Sequence, residues 1–205
     1  MTAVWTFGDS ITAGTWLADP GTQSWPSRLD ALLGDGVQVR NLGVGGQAVA
    51  YADPGGKRMD AWVLESLAAV PAVERPAVVL FAGGLNDMIR NTDVGPTRQA
   101  IFELGNRIAS WYPTVRFLVM TITPYRSDAG YAVPLSERRA TLNAWIRAQY
   151  GPAGQLVDTG DLLTAGATYA DVRYFLDHLH PDEEGTAILA HGVHDQLKEK
   201  GLPCP

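Results

Sequence analysis

Five short apolar runs alternate along this chain with longer segments of helical periodicity, and that alternation leaves few folds open to it. The runs are Ala3–Phe7, Val37–Asn41, Ala77–Ala82, Val115–Ile122 and Gln155–Val157. The segments with a helical period are Pro26–Leu33, Met59–Val70, Thr97–Trp111, Leu135–Tyr150 and Asp182–Lys200. In Thr97–Trp111 the residues Ala100, Ile101, Leu104, Ile108 and Trp111 fall on one stripe, as a helix lying on a core requires. The runs at 77–82 and 115–122 are apolar without interruption, which suits strands buried on both faces. Pro26 sits in the first turn of its helix and Gly34 just past its end.

A βα order repeated five times implies a parallel sheet with helices on both faces and right-handed crossovers. The fold class expected is therefore α/β, a flavodoxin-like three-layer α/β/α sandwich with a five-stranded parallel sheet. At 205 residues the chain is long enough for one such domain, and no linker or repeat divides it. The stretch from Gly160 to Leu176 lacks a period and reads as a loop with short helical turns. It carries Leu162, Leu163, Tyr169, Tyr174 and Phe175, which could form a lid.

Composition narrows the function classes. The formal charge is −6 and the 16 Lys and Arg residues form no dense run, which argues against a nucleic-acid partner. No apolar stretch reaches the length of a membrane span. The start, MTAVWTFGDS, lacks the basic and apolar regions of a signal peptide, so the cytoplasm is expected, with secretion after removal of a signal as the alternative. Cys204, the one cysteine, reads as an incidental thiol. His191, His194 and Asp195 lie together on the terminal helix but lack a third strong ligand, so no metal is expected.

Sheets of this kind bind ligands beyond the carboxyl ends of their strands, and the polar, Gly-rich segments fall there. Gly8-Asp9-Ser10 follows the first strand and leads into an expected helical turn from Ile11 to Gly14, whose start would expose the Ser10 hydroxyl and backbone N–H; Asn41-Leu42-Gly43-Val44-Gly45-Gly46 follows the second strand, and Gly83-Gly84-Leu85-Asn86-Asp87 the third. Asp177-His178-Leu179-His180-Pro181 precedes the last helix. Together these residue types fit nucleophilic catalysis. A serine hydroxyl needs a neighbouring base; His180 can take its proton and Asp177, three residues earlier, can orient the imidazole if the segment forms a helical turn. His178 competes for the role of base, but only His180 stands three residues from Asp177 and directly before Pro181. Gly46 can offer a backbone N–H and Asn86 a side-chain amide to a developing oxyanion. Asp9 and Asp87 read as structural partners of their loops. NLGVGG lacks the lysine of a phosphate-binding loop, so a nucleotide site is not expected. Trp16, Leu85 and Leu179 are candidate walls of the acyl pocket, and Met88 is either a further wall or a core residue.

These blocks resemble those of the SGNH hydrolase superfamily, the GDSL esterase and lipase family: FGDSITAG, NLGVGG, GGLND and DHLHP, in the family's order from Phe7 to Pro181. The first block continues Ile-Thr where the family's name has Leu. The resemblance implies a triad of Ser10, Asp177 and His180, with the Ser10 N–H, the Gly46 N–H and the Asn86 amide as oxyanion hole. Gly46 is chosen over Gly43 and Gly45 because the family's glycine falls five residues after the Asn. The resemblance implies a serine carboxylic ester hydrolase working through an acyl-enzyme without a cofactor, on a small-molecule or carbohydrate ester. Carbohydrate O-acetylesterase, thioesterase and lysophospholipase activity use the same residues; a binding module on this fold would be expected to lack Ser10 or His180. Short polar segments near the site, at Thr12–Gly14, Asp19–Gln23 and Tyr125–Asp128, point to short acyl chains.

Overall fold

The computed structural model of the chain describes residues 1–54, 56–90, 93–126, 132–164 and 171–202, with the backbone alone at 132–134. Cys204, Tyr169 and Asp128 lie outside the described residues.

The apolar runs form five strands: β1 (Thr2–Gly8), β2 (Val37–Asn41), β3 (Val78–Ala82), β4 (Arg116–Met120) and β5 (Leu156–Val157). All pair in parallel in the order β2-β1-β3-β4-β5, the flavodoxin-like arrangement. Central β3 has Val78, Val79, Leu80 and Phe81 fully buried, which is why its sequence is apolar throughout. Edge strand β2 keeps the alternation expected of a sheet margin.

Helices α3 (Trp25–Leu33) and α8 (Glu183–Glu199) pack on each other over one side of the sheet, while α4 (Met59–Ala68), α6 (Val94–Trp111) and α7 (Ala132–Tyr150) pack side by side over the other. Local chemistry sets their ends. Ser24 caps α3 by accepting from the Ser27 N–H, and Gly34 closes it with a φ of 64°. Along its inner face Leu29 and Leu33 are buried almost completely, each worth about 1.5–3 kcal/mol of hydrophobic stabilisation. Asp182 caps α8 by accepting from the Gly185 N–H at 2.8 Å.

The fourth run extends in sequence to Ile122, yet its ladder ends at Met120. Beyond that point the buried Asn143 of α7 takes over the backbone: its Oδ1 accepts from the Ile122 N–H at 2.7 Å and its Nδ2 donates to the Ile122 carbonyl at 2.9 Å. Buried Arg139 donates to the carbonyls of Ile122 and Thr123. A side-chain amide and a guanidinium thus satisfy groups that a neighbouring strand would otherwise hold.

From β1 the chain departs to one side of the sheet and from β3 to the other. The carboxyl ends of these adjacent strands are therefore the switch point where such sheets open a crevice. Three short helices that lack a readable period stand near it: α1 (Ser10–Ala13) and α5 (Leu85–Ile89) directly follow β1 and β3, and α2 (Pro20–Gln23) replaces an expected loop.

Candidate active site

Ser10 opens α1, and Asp9 fixes that start by accepting from the Ile11 N–H at 3.0 Å. The loop after β2 is drawn onto this turn. Asn41 Nδ2 donates to the Thr12 carbonyl at 2.8 Å, its Oδ1 accepts from the Gly43 N–H at 3.0 Å, and the Val44 N–H donates to the Gly8 carbonyl at 2.9 Å. The approach is so close that a Cβ on Gly43 would stand 2.4 Å from the Ala13 nitrogen. It brings Gly45 beside the serine, where an added Cβ would lie 4.0 Å from the Ser10 Cβ. Gly46 follows, exposed, with a φ of 74° and its carbonyl accepting from Arg90 Nη2 at 3.1 Å.

The segment after β3 is clipped to the same loop. The Asp87 carboxylate accepts from the Val49 and Ala50 N–H groups at 2.8 and 2.7 Å, and Asn86 Nδ2 donates to the Gln47 carbonyl at 3.1 Å. One hydrogen of the Asn86 amide is used in this way. The other makes no further hydrogen bond among the described residues, which leaves a donor for a ligand.

Asp177 and His180 come together by a route that differs from the expected helical turn. The segment is a bend between bridged Phe175 and Pro181. Asp177 Oδ1 folds it by accepting from the Leu179 and His180 N–H groups, both at 2.7 Å, and the Leu176 N–H donates to the His180 carbonyl at 2.9 Å. The carboxylate thereby shapes the turn as well as meeting the ring: Asp177 Oδ2 lies 2.8 Å from His180 Nδ1. Burial pushes the Asp177 carboxyl up, but the His180 and Leu179 N–H groups and the His180 ring outweigh it and hold the acid below its usual range.

His180 Nε2 lies 2.8 Å from Ser10 Oγ. A carboxylate at Nδ1 requires the ring proton there, so Nε2 presents its lone pair to the serine hydroxyl. A nucleophile, a base and an orienting carboxylate are thus in hydrogen-bonded sequence, an arrangement able to move a proton off Ser10 as it attacks a carbonyl. His178, the competing candidate, is exposed.

A second donor reaches the same lone pair. Trp16 Nε1 is 3.0 Å from His180 Nε2, with the two ring centroids 5.5 Å apart and the indole 61% exposed. Nothing in the sequence pairs these residues beyond the nearness of Trp16 to the nucleophile. Arg90, which braces Gly46 and pairs with Asp53 at 2.8 Å, is equally silent in the sequence. Met88 is buried in the core, one of its two expected places, and Leu85, read as a candidate wall, is buried too and lines a small cavity with Asp9, Ile11 and Thr12. A cleft of about 300 Å³ opens beside Gly45 and Gly46, walled by Gln47, Tyr51, Trp62 and Arg90 among others. Of the candidate lid, Leu163 and Phe175 are buried and Leu162 and Tyr174 pack against the core, while 165–170 lie outside the described residues.

Two buried carboxyls underlie the site. Burial pushes Asp9 up to about 6 against the pull of the Ile11 N–H, and the charge of Asp87 adds to the push. Burial likewise raises Asp87 despite its backbone donors. Among the described residues no group of three or more His, Cys, Asp or Glu could hold a metal, and His194 Nδ1 lies 3.0 Å from Asp195 Oδ1. No helix of the described residues is long and apolar enough to cross a membrane.

Comparison with known proteins agrees with this architecture. A family model described as the GDSL-like lipase/acylhydrolase family matches residues 6–188. No curated protein matches. Among solved structures, a carbohydrate acetylesterase from Sinorhizobium meliloti is similar with a TM-score of 0.79 at 19% identity, over 98% of this chain and 100% of that one. An aryl esterase from M. smegmatis gives 0.76 at 16% identity, over 97% and 99%. A member of the lipolytic G-D-S-L family from Veillonella parvula gives 0.76 at 20% identity, over 95% and 97%. At these identities the likeness is one of fold.

Proposed function

The chain belongs to the GDSL-like lipase/acylhydrolase family, and from that premise we propose that it is a serine carboxylic ester hydrolase working through an acyl-enzyme on Ser10. His180 takes the Ser10 proton as Oγ bonds to the ester carbon, and returns it to the leaving alcohol. Asp177 holds the ring and offsets its charge, and water then repeats the cycle on the acyl-enzyme. The Ser10 and Gly46 N–H groups and the free hydrogen of the Asn86 amide receive the oxyanion. The observation that carries this reading is the unbroken line Ser10 Oγ, His180 Nε2, His180 Nδ1, Asp177 Oδ2, with 2.8 Å at each hydrogen bond.

The acyl group is expected to be short, acetyl to about butyryl. The cleft beside Gly46 is small, about 300 Å³, and Arg90, Lys57 and Asp53 interrupt its apolar walls of Val44, Ala48, Tyr51 and Trp62. A longer chain gains about 0.8 kcal/mol per CH₂ only where it covers apolar surface. The test is kcat/KM for p-nitrophenyl acetate, butyrate, octanoate and palmitate, with acetylated xylan assayed beside them because a similar fold is named a carbohydrate acetylesterase. Activity is expected to peak at acetate or butyrate and to vanish in a folded Ser10→Ala protein. Wild-type turnover in that variant would refute the mechanism, and a maximum at octanoate or beyond would refute the short acyl site.

A further inference from the structure

His180 Nε2 has one lone pair and two donors directed at it, the Ser10 hydroxyl at 2.8 Å and the Trp16 indole N–H at 3.0 Å. In the resting enzyme the indole therefore competes with the nucleophile for the base. The competition cannot outlast the first chemical step. As Ser10 Oγ bonds to the ester carbon, its proton passes to Nε2 and the carbonyl π pair moves onto oxygen. Nε2–H then faces the indole N–H, donor against donor. Collapse restores the carbonyl, breaks the bond to the alcohol oxygen with its electron pair leaving on that oxygen, and transfers the Nε2 proton to it. For that transfer the alcohol oxygen must come within hydrogen-bond distance of Nε2, at the place where the Trp16 N–H stands.

The geometry points to Trp16 as the residue that selects the alcohol half of the ester: the leaving oxygen displaces the indole N–H from His180, and the indole face then stacks on the alcohol. This rests on the esterase reading above and goes beyond it, because it assigns the leaving-group side of the site and a class of alcohol. Trp16 is 61% exposed, which leaves ring surface to offer, and among the described residues the one polar contact of its indole N–H is the one that the substrate replaces. An alcohol with a flat apolar face, an aryl ring or a pyranose, gains from such stacking. A methyl or ethyl group displaces the N–H and receives nothing in return.

The experiment holds the acyl group constant as acetate and varies the alcohol: methyl acetate, phenyl acetate and a methyl glucoside acetate, each measured as kcat/KM in the wild type, Trp16→Ala and Trp16→Phe. Comparing each ester with itself across the proteins cancels intrinsic leaving-group reactivity. Trp16→Ala is expected to lower phenyl acetate relative to methyl acetate by roughly three- to tenfold, the range of an aromatic contact. Trp16→Phe keeps a ring but removes the competing donor. It is expected to hold most of the phenyl preference and to raise methyl acetate by up to about tenfold, the effect of one hydrogen bond. The glucoside acetate separates the two alcohol classes, since it follows phenyl acetate if a pyranose face is accepted and methyl acetate if only aryl rings are. Equal changes in Trp16→Ala for all three esters would overturn the assignment while leaving the esterase reading intact. Wild-type inactivity on all three, with Ser10→Ala no different, would remove the reading beneath it.

Discussion

In the proposed mechanism the one side-chain amide of Asn86 is divided between two tasks. Its first hydrogen ties it to the Gln47 carbonyl at 3.1 Å, fixing the amide plane, and its second, which makes no further hydrogen bond among the described residues, is the one assigned to the oxyanion. A donor held rigid before the reaction stabilises developing charge without reorganising. Asn86→Ala is therefore expected to lower kcat by about 10² to 10³ with little change in KM. Steady-state kinetics on p-nitrophenyl acetate decide this, because an effect confined to KM would make Asn86 a binding residue only. At this scale the sequence was informative where chemistry demands particular atoms in a short window. Ser10 after a strand and His180 three residues from Asp177 are examples. It was uninformative where contacts join distant residues, since the Trp16 indole meets a histidine 164 positions away. Arg90 braces a glycine 44 positions back, and exposed cations give no sign of such partners.

Among the elements, the long ones were legible, and of the short ones only the turn after Ser10, marked by its position between a strand end and Gly14. A helix such as α6 repeats its apolar stripe several times, whereas α2 and α5 end before any period can repeat. The overlong fourth run has a definite cause. Apolar residues continue to Ile122, but the amide of Asn143 captures the backbone there, and a sequence does not announce which strand-end groups a helix will take. The close seat of the β2 loop on α1 is likewise invisible, except as a glycine at 43. With an added Cβ only 2.4 Å from the Ala13 nitrogen, no rotamer change can relieve Gly43→Ala, since the clash is with backbone. Its cost is expected to be about 1–3 kcal/mol, as for other overpacked sites. The loop must also retreat from Ser10 and carry Gly45 and Gly46 with it. Urea denaturation and kcat should fall together; a variant with both unchanged would show that the loop has room to spare.

Across the whole molecule, the order of runs and breaks was enough to give a five-stranded parallel sheet between helices and the edge on which the polar blocks meet, while the order of the strands within the sheet came only with the structure. What it could not give is the electrostatic state of that edge, because a carboxyl's burial depends on everything packed around it. Asp9 is 3% exposed and stands near the equally enclosed Asp87, and its carboxyl is pushed from an ordinary 3.8 to about 6. An acid whose folded value is raised favours the protonated fold. Its stabilising contribution is complete below about pH 4, and it is lost as pH rises through 6, where the buried carboxylate becomes charged. Asp177 works in the opposite sense, because its carboxyl is held below the usual range and its contribution is lost only as pH falls. Net stability therefore mixes the two, and a comparison with Asp9→Asn separates them. The amide cannot ionise, yet its oxygen can still accept from the Ile11 N–H, so α1 keeps its cap. Asp177 titrates alike in both proteins and cancels, while Asp87 is present in both, so the difference reports Asp9 together with its coupling to Asp87. Asp9→Asn is expected to match the wild type near pH 4 and to exceed it by up to about 3 kcal/mol at pH 7, the equivalent of moving the acid from 3.8 to about 6. Urea unfolding at pH 4, 5, 6 and 7 measures the difference directly. A gap that stays constant across this range would mean that Asp9 titrates at its ordinary value and that the acids beneath the site carry their charges without cost.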